Sequence, residues 1–323
     1  MLSTKYSNIS GVADRDKAIC ICKENLGTSI SVLQLKMFFT ELMFLNKYAK
    51  KGDTIICVGA APGFHTGKLA ELFPDCLFDL WDEESYNIIP RDNINMNYSL
   101  FTNKQAEKYK KSTKGYLLMC DLSGPYMEDD IVEYKKRTID GVDIIVSEYM
   151  YSQFKWCRTL QPRAAFLKFQ LSHRDLPTHY FGGTIHLQPF SPLINETRLL
   201  VTDYDKLVEY DPSAYDKKIS YHNGYNRCKT YQSNPWTIFL NKHNLFPGWD
   251  TIISLGILLK YVEKTNRLNP DLSKIDLQKI TMDLFLDVLM YHRDEFWDKR
   301  TGPEINKVFG FHASKKKTNK FII

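Results

Sequence analysis

Four polar residues of this sequence, two lysines and two acids, have the side chains needed to activate a hydroxyl group. They are Lys36, Asp121, Lys168 and Glu196. A ribose hydroxyl is a poor nucleophile at neutral pH, and a lysine can take its proton only when the lysine itself is neutral. Lys168 stands in an apolar run, where desolvation and a nearby ammonium such as Lys36 are expected to lower its pKa. Asp121 and Glu196 would orient the lysines and neutralise the spare charge. The set therefore predicts methyl transfer to a ribose hydroxyl, which requires alignment and no metal.

A turn containing two glycines indicates the methyl donor. Its sequence is Gly59-Ala60-Ala61-Pro62-Gly63, and Asp82 follows near the distance expected for a carboxylate that binds ribose hydroxyls. Dinucleotide loops need closely spaced glycines beside a pyrophosphate, and a proline has no N–H to donate to a phosphate. The loop therefore favours S-adenosylmethionine over a nicotinamide cofactor. A purely structural turn is the third interpretation.

The apolar pattern predicts the elements that must position these residues. A strand, the glycine turn, a helix and a second strand ending near Asp82 form one βαβ unit of a doubly wound sheet. Because chemistry collects at the carboxyl ends of such strands, Asp121, Lys168 and Glu196 are expected at one rim, with Lys36 on a preceding helix. Strands are predicted at 54–58, 76–81, 116–120, 164–169, 184–187 and 198–201, and helices at 31–50 (with Ser31 as N-cap), 65–73, around 142–160, 249–264 and 276–292.

The predicted fold class is α/β. It is a Rossmann-like sheet with helices on both faces and helical additions at both termini, in a single domain of residues 1–323. We expect an N-terminal segment and helix (1–50), a core (51–204) and a mostly helical C-terminal addition (205–323).

Composition restricts the class of protein. Apolar residues make up 43% of the 323 residues, too many for a disordered chain, and the net charge of +5 permits an anionic partner. The seven cysteines include no CxxC pair, so a zinc site and a disulfide framework are not expected, and a reducing compartment is. No apolar run approaches the length of a membrane span, so we expect a cytoplasmic protein without membrane contact.

Several segments together resemble the poxvirus-type cap-specific mRNA (nucleoside-2′-O-)methyltransferases of large DNA viruses. In poxviruses this enzyme is also the small, regulatory subunit of the poly(A) polymerase. The resemblance covers about residues 30–225, most specifically at the segment Leu187-Gln188-Pro189-Phe190 before Glu196. It is carried by Leu33-Gln34-Leu35-Lys36 with Glu41-Leu42, the glycine turn with His65, Asp121, Pro162 with Leu167-Lys168, the segment 187–192, Glu196-Thr197-Arg198-Leu199-Leu200 and Tyr215-Asp216-Lys217-Lys218.

The resemblance implies a viral, RNA-binding enzyme of mRNA capping and processing, located in the host cytoplasm, a viral factory or the virion. It implies S-adenosylmethionine-dependent 2′-O-methylation of the first transcribed nucleotide, converting cap-0 to cap-1, with Lys168 as the base. The implied partners are the capped mRNA 5′ end and the poly(A) polymerase catalytic subunit. Lys36, Asp121, Lys168 and Glu196 match the catalytic tetrad of the family; Gln34, Gly59, Ala61, Pro62, Gly63, His65, Asp82 and Asp121 match its cofactor site.

The family holds the cationic 7-methylguanine cap between aromatic rings while carboxylates bind the base edge. Asp175 and Asp216 fall at the positions of those carboxylates. The sequence departs from the family at His173, which replaces one aromatic ring, and Tyr6 is the candidate for the other ring. The candidates for phosphate contacts are Lys155, Arg158, Arg163 and Arg174.

Three alternatives remain open from the sequence. A methyltransferase for structured RNA can use the same tetrad. A processivity or regulatory subunit of a poly(A) polymerase could keep the fold with a vestigial site, or could combine both roles. A dehydrogenase is disfavoured by the glycine turn.

Overall fold

The computed structural model of the protein describes residues 2–13, 30–110, 115–122, 134–139, 142–171, 177–191, 196–266 and 272–294. The helices are α1 (Ile30–Tyr48), α2 (Phe64–Leu72), α3 (Asn103–Lys110), α4 (Glu148–Leu160), α5 (Pro212–Tyr221), α6 (Thr237–Lys242), α7 (Trp249–Thr265) and α8 (Lys274–Asp294), with short 3-10 and π turns at Tyr6–Asn8 and His222–Asn226. The strands are β1 (Thr54–Val58), β2 (Leu77–Asp82), β3 (Ile94–Tyr98), β4 (Tyr116–Cys120), β5 (Tyr134–Ile139), β6 (Val142–Ser147), β7 (Ala164–Phe169), β8 (Thr178–Phe181), β9 (Thr184–His186), β10 (Thr197–Val201) and β11 (Leu207–Tyr210).

A seven-stranded, mostly parallel sheet with flanking helices forms the centre of the described chain, which confirms the predicted Rossmann-like α/β class. Its strand order is β3-β2-β1-β4-β7-β10-β9, and only β10 runs antiparallel to its neighbours β7 and β9. Every residue of β1, β4 and β7 is buried, as expected for strands covered on both faces.

The strand order reverses between β1 and β4, because the chain moves from β1 outward to β2 and β3 and then returns to the other side. Such a switch point leaves a crevice at the carboxyl ends of the two strands, where open α/β sheets bind ligands. We call this side, at which β1, β4 and β7 end, the carboxyl edge. Since β10 is antiparallel to β7, it begins at the same edge, and Thr197 pairs there with Phe169.

The segment predicted as a helix around residues 142–160 differs from expectation in its first part. Val142–Ser147 is strand β6, paired with β5 in a separate two-stranded sheet, and only Glu148–Leu160 is helical. The β-branched residues at the start favour the strand, and the hydroxyl of Ser147 then caps α4 by accepting from the Met150 N–H. The helix α1 begins at Ile30, so Ser31 is not its N-cap.

The described residues nearest both ends of the chain pack onto this core. The strand β11 interrupts the predicted helical C-terminal part, but α7 and α8 follow near their predicted positions and contact α1. The Lys264 ammonium donates to the carbonyl of Asn46, and the Lys68 ammonium lies 2.7 Å from Asp287 of α8. At the N-terminus the Leu187 N–H donates to the Thr4 carbonyl over 2.7 Å. The division of the chain at residues 50 and 204 stays a prediction.

The cysteines differ among themselves. Cys57, Cys76, Cys120 and Cys157 are free and buried, whereas Cys228 is disulfide-bonded. One bonded cysteine does not make a disulfide framework, and the expected reducing compartment stays a prediction. No helix among the described residues combines the length and apolarity needed to cross a bilayer.

Candidate active site

The carboxyl edge of the sheet brings Lys36, Lys168 and Glu196 into contact. The Lys36 ammonium, from α1, donates to Glu196 Oε1 over 2.9 Å, and the Lys168 ammonium lies 3.1 Å from Glu196 Oε2. All three side chains are buried. Glu196 can reach both lysines because it precedes β10, which starts beside the end of β7. One carboxylate therefore fixes two ammonium groups.

Asp121 joins this group from the next strand of the sheet. It follows β4, and its Oδ1 lies 3.8 Å from the Lys168 ammonium. The four residues selected from the sequence thus lie together at one edge of the sheet, in a connected set of ion pairs.

A third cation, Arg198, stands in the same cluster. It lies opposite Lys168 in the β7–β10 register, so both side chains project from the same face of the sheet. Its guanidinium lies 2.5 Å from Asp121 Oδ1 and 3.6 Å from Glu196 Oε1, and it also donates to the Cys120 carbonyl. In the sequence, Arg198 belongs to a predicted buried strand and has no predicted role. A charged residue inside an otherwise apolar strand is the signal that could have identified it.

The charges of the cluster do not cancel. Three cations face two carboxylates, so the site carries an excess of one positive charge. An excess of positive charge suits a site that receives an anionic polymer such as RNA.

The pKa values correct one expectation about Lys168. Burial acts to lower the pKa of Lys168, but the carboxylates of Glu196 and Asp121 outweigh burial, and the pKa lies above its ordinary value. The positive charge of Arg198 acts with burial to oppose this rise. Lys168 is therefore an ammonium at neutral pH, and the expected depression of its pKa is wrong for this structure.

The two carboxyl groups show the reciprocal effect. Burial acts to raise the pKa of Glu196, but Lys168, Lys36 and Arg198 hold it well below its usual range. Burial likewise opposes ionisation of Asp121, yet Arg198 and the two lysines lower its pKa to about 2. Both acids are ionised at neutral pH and can only accept hydrogen bonds.

Two glutamine side chains hold the cluster in place. Gln188 donates its amide to Glu196 Oε1 over 3.0 Å, so the Leu-Gln-Pro-Phe segment has a direct contact with the site. Gln153 of α4 accepts from the Lys168 N–H and donates to the Lys168 carbonyl, over 3.0 and 3.1 Å. The backbone of Lys168 is thereby fixed on the side where its pairing with β4 has ended.

The glycine turn lies directly beside Asp121. Gly59 has a positive φ of 73°, and a Cβ atom at this position would come within 2.7 Å of the Asp121 carbonyl oxygen. Gly63 has φ 68° and stands at the N-terminus of α2. Side chains other than glycine would strain both positions, and at Gly59 they would also close the space between β1 and β4.

Asp82, at the end of β2, holds this turn. Its Oδ2 accepts from the Ala61 N–H over 2.9 Å, and its Oδ1 accepts from the Glu84 N–H. A carboxylate oxygen has further lone pairs, so Asp82 can bind the turn and a hydroxyl group together. Pro62 accepts from the Asn87 N–H through its carbonyl. The turn residues that the sequence analysis selects for the cofactor therefore lie together with Asp82 and Asp121 at the carboxyl edge.

Gln34 and His65 form a buried network with Glu41 behind this crevice. Gln34 Oε1 accepts from the backbone N–H of His65 and lies 2.9 Å from the His65 Nδ1. His65 Nε2 lies 3.1 Å from Glu41 Oε2. Both ring nitrogens thus face acceptor oxygens, and the network joins α1, which carries Lys36, to the start of α2.

The cap-binding candidates are only partly described. His173 and Asp175 lie outside the described residues. Asp216 lies on α5, whose Tyr215 hydroxyl lies 2.8 Å from Thr197 Oγ1 beside Glu196. Tyr6 stacks on Tyr215, with 5.7 Å between ring centroids. The N-terminal aromatic candidate therefore packs against α5, the helix that carries Asp216.

Arg163 does not lie at this edge. It precedes β7 and therefore lies at the opposite edge of the sheet. There its guanidinium forms a bidentate ion pair with Asp53 and donates to the Tyr48 carbonyl. Its suggested phosphate contact is wrong for this site. Arg158 is near the end of α4, 3.7 Å from Asp205, and Arg174 lies outside the described residues.

The comparisons with known proteins agree with part of the predicted resemblance. Residues 8–251 match the family described as poly(A) polymerase regulatory subunit. Because the match covers well over half of the chain, the protein belongs to that family. Among curated proteins, none matches the chain at a significant level.

Proposed function

We propose that this member of the poly(A) polymerase regulatory subunit family transfers a methyl group from S-adenosylmethionine to the 2′-hydroxyl of the first transcribed nucleotide of capped mRNA. The observation that carries the proposal is the shared carboxylate of Glu196, which fixes the ammonium groups of Lys36 and Lys168 at 2.9 and 3.1 Å. A merely structural ion pair does not need two lysines and an arginine around two acids at a ligand crevice.

The cofactor would occupy the crevice between the glycine turn and Asp121. Gly59 keeps it open, Asp82 supplies acceptors for ribose hydroxyls, and Pro62 has no N–H to donate to a phosphate. The bound cofactor supplies an electrophilic methyl group on a sulfonium, and that chemistry requires no metal.

The reaction follows from the charges of the site. In the transfer a C–O bond forms at the ribose oxygen, a C–S bond breaks, and the hydroxyl proton passes to Lys168 Nζ. Lys168 can accept that proton only after losing its own. The carboxylates of Glu196 and Asp121 oppose this loss, whereas Arg198 and the cationic sulfonium of the cofactor would favour it. Lys36 and Glu196 hold Lys168 in position. Asp121, which is itself fixed by Arg198, limits where the Lys168 ammonium can move.

The proposal is tested by radiolabelled methyl transfer to short cap-0 RNA. Wild-type protein should transfer methyl groups to capped RNA in preference to uncapped RNA, whereas Lys168→Ala should lose at least about a hundredfold of the rate, the usual contribution of a proton-transfer group. Lys242→Ala, at the exposed end of α6, is the matched control and should retain wild-type transfer. Equal rates for the Lys168 and Lys242 variants would contradict the role of Lys168. Preference for uncapped structured RNA would favour the ribosomal-type alternative.

A second function is favoured by the family match. We propose that the protein also acts as the regulatory subunit of a poly(A) polymerase, binding its catalytic subunit. The two roles can be separated in one experiment, in which the cognate catalytic subunit extends a primer with and without this protein. Lys168→Ala should stimulate extension as wild type does while transferring no methyl group. Absence of stimulation by the wild-type protein would exclude the regulatory role.

A further inference from the structure

Helix α4 contacts Lys168 at two points that lie one turn apart. Gln153 binds the backbone of Lys168, and the Lys168 ammonium lies 5.7 Å from the centroid of the Tyr149 ring. Residues four positions apart share one face of a helix, so both contacts come from the same face. Ser147 caps the start of α4, which places the Tyr149 side chain within the first turn. Tyr149 is therefore held beside the proposed base.

The hydroxyl of Tyr149 has an incomplete environment. Tyr149 is 8% exposed, and its hydroxyl oxygen is buried without a hydrogen-bond partner in the described part of the chain. The Ser147 hydroxyl is close enough to influence the pKa of Tyr149, but the two groups do not meet with hydrogen-bond geometry. A buried hydroxyl without a partner is costly, and in native proteins it calls for an explanation such as a ligand.

The charged groups around Tyr149 indicate which ligand this is. The Tyr149 ring lies beside the Lys168 ammonium, and the charges of Glu196, Arg198 and Asp121 act on its hydroxyl. Burial raises its pKa above the ordinary value, and the phenol stays protonated and able both to donate and to accept. The cluster has an excess of positive charge and would receive a nucleotide. The oxygens of that nucleotide are matching partners for a neutral hydroxyl.

We propose that Tyr149 is a further substrate-binding residue, whose hydroxyl completes its hydrogen bonding on an oxygen of the target nucleotide of the RNA, next to Lys168. This inference rests on the proposed methyl transfer at the same site. The Tyr149 ring lies beside the Lys168 ammonium. A nucleotide oxygen bound to the Tyr149 hydroxyl would therefore be close to the base that takes the proton. Nothing in the sequence distinguishes Tyr149, because an aromatic residue in a helix is usually a core residue.

Steady-state methyl transfer by Tyr149→Phe tests the inference, since this change removes only the hydroxyl. The kcat/KM for capped RNA should fall about tenfold, the effect of one lost hydrogen bond, while the KM for S-adenosylmethionine stays unchanged. The matched control is Tyr180→Phe. Tyr180 is also buried, and its hydroxyl donates over 2.8 Å to the Met150 carbonyl of the same helix. Tyr180→Phe should lower the melting temperature but keep the wild-type kcat/KM.

A wild-type kcat/KM for RNA in Tyr149→Phe would overturn the inference. If the melting temperature falls at the same time, the hydroxyl has only a structural role at the start of α4.

Failure of the proposed function can be recognised separately. If the wild-type protein transfers no methyl group to any RNA tested, that function is excluded, and the affinity for fluorescein-labelled capped RNA is then measured by anisotropy. About tenfold weaker binding by Tyr149→Phe would still support the nucleotide contact. Equal affinities of wild type and Tyr149→Phe would overturn it.

Discussion

Lys36 and Glu196 are 160 positions apart in the sequence and form a buried ion pair of 2.9 Å in the structure. A buried charge is tolerated only when it is paired and hydrogen-bonded. Glu196 meets this condition for Lys36 and Lys168 together, and Gln188 provides one further donor. Helix α1, strand β7 and the start of β10 are therefore coupled through the carboxylate of Glu196.

Replacement of Glu196 by glutamine tests that coupling. Glu196→Gln leaves the size of the side chain almost unchanged but removes the charge that pairs with both lysines. Leaving buried cations without their partner should lower the free energy of unfolding by about 3–5 kcal/mol. Urea denaturation followed by circular dichroism measures this change.

The matched control for that variant is Glu209→Gln. Glu209 pairs with His179 over 3.4 Å at the surface, and its side chain is 61% exposed. Exposed pairs contribute about 0–1 kcal/mol, so this variant should unfold almost as wild type does. Equal losses of stability in the two variants would show that the buried pairing is not special.

Arg198 provides a prediction for the pH dependence of methyl transfer, which rests on the proposed function. Its positive charge acts to lower the pKa of Lys168. In Arg198→Gln the pKa of Lys168 should rise, the neutral fraction at a given pH should fall, and the acidic limb of the pH–rate profile should move to higher pH. Arg198→Lys keeps the charge and should move the limb back toward wild type.

The melting temperatures of both Arg198 variants show whether they are folded. An acidic limb at the same pH in wild type and in folded Arg198→Gln would mean that Arg198 does not act on the proton-transfer group.

His186 gives a prediction for stability against pH. Burial, with Lys47, Lys5 and Lys260 nearby, lowers the pKa of His186 to about 4. The unfolded chain binds a proton near the ordinary pKa of about 6.5, so below that pH the unfolded state takes up more protons than the folded state. The contribution of His186 is complete above pH about 6.5 and is lost as the pH falls toward about 4.

As the pH falls from 7 to 4, His186→Gln should therefore lose less unfolding free energy than wild type does. The difference between the two losses should be about 3 kcal/mol at pH 4. Urea titrations of wild type and variant at several pH values between 7 and 4 measure the difference. Curves that stay parallel at every pH would contradict a neutral, buried histidine at this position.

The sequence predicted those elements whose burial is uniform. The strands β1, β4 and β7 are buried along their whole length and almost entirely apolar, so their bounds, and hence the positions of Asp121 and Lys168 at one edge, could be derived from the pattern alone. The strand β3, Ile-Asn-Met-Asn-Tyr, could not. It lies at the end of the sheet, and its Asn95 and Asn97 are satisfied by donating to Asp79 of β2, a contact that no local pattern reveals.

The same distinction applies to the site. Lysines and acids at strand ends are visible in a sequence, whereas the contacts of Arg198 and Tyr149 with the cluster depend on strand register and on the face of a helix. The pKa of Lys168 depends on the balance between burial and two carboxylates, and that balance requires distances.

Gly59 allows the crevice between β1 and β4 to be tested directly. In Gly59→Ala the new methyl group would come within 2.7 Å of the Asp121 carbonyl, at a positive φ of 73°. The change should displace Asp121 or the turn, and it should lower the affinity for S-adenosylmethionine more than tenfold, measured by isothermal titration calorimetry.

Gly52→Ala isolates the effect of the backbone angle. Gly52 has φ 84°, but nothing lies within 4 Å of its added Cβ atom. Gly52→Ala should show only the strain of an alanine at positive φ, about 1–2 kcal/mol of stability, and should bind the cofactor as wild type does. If the two variants bound S-adenosylmethionine equally well, the close approach of β1 to Asp121 would not form the cofactor site.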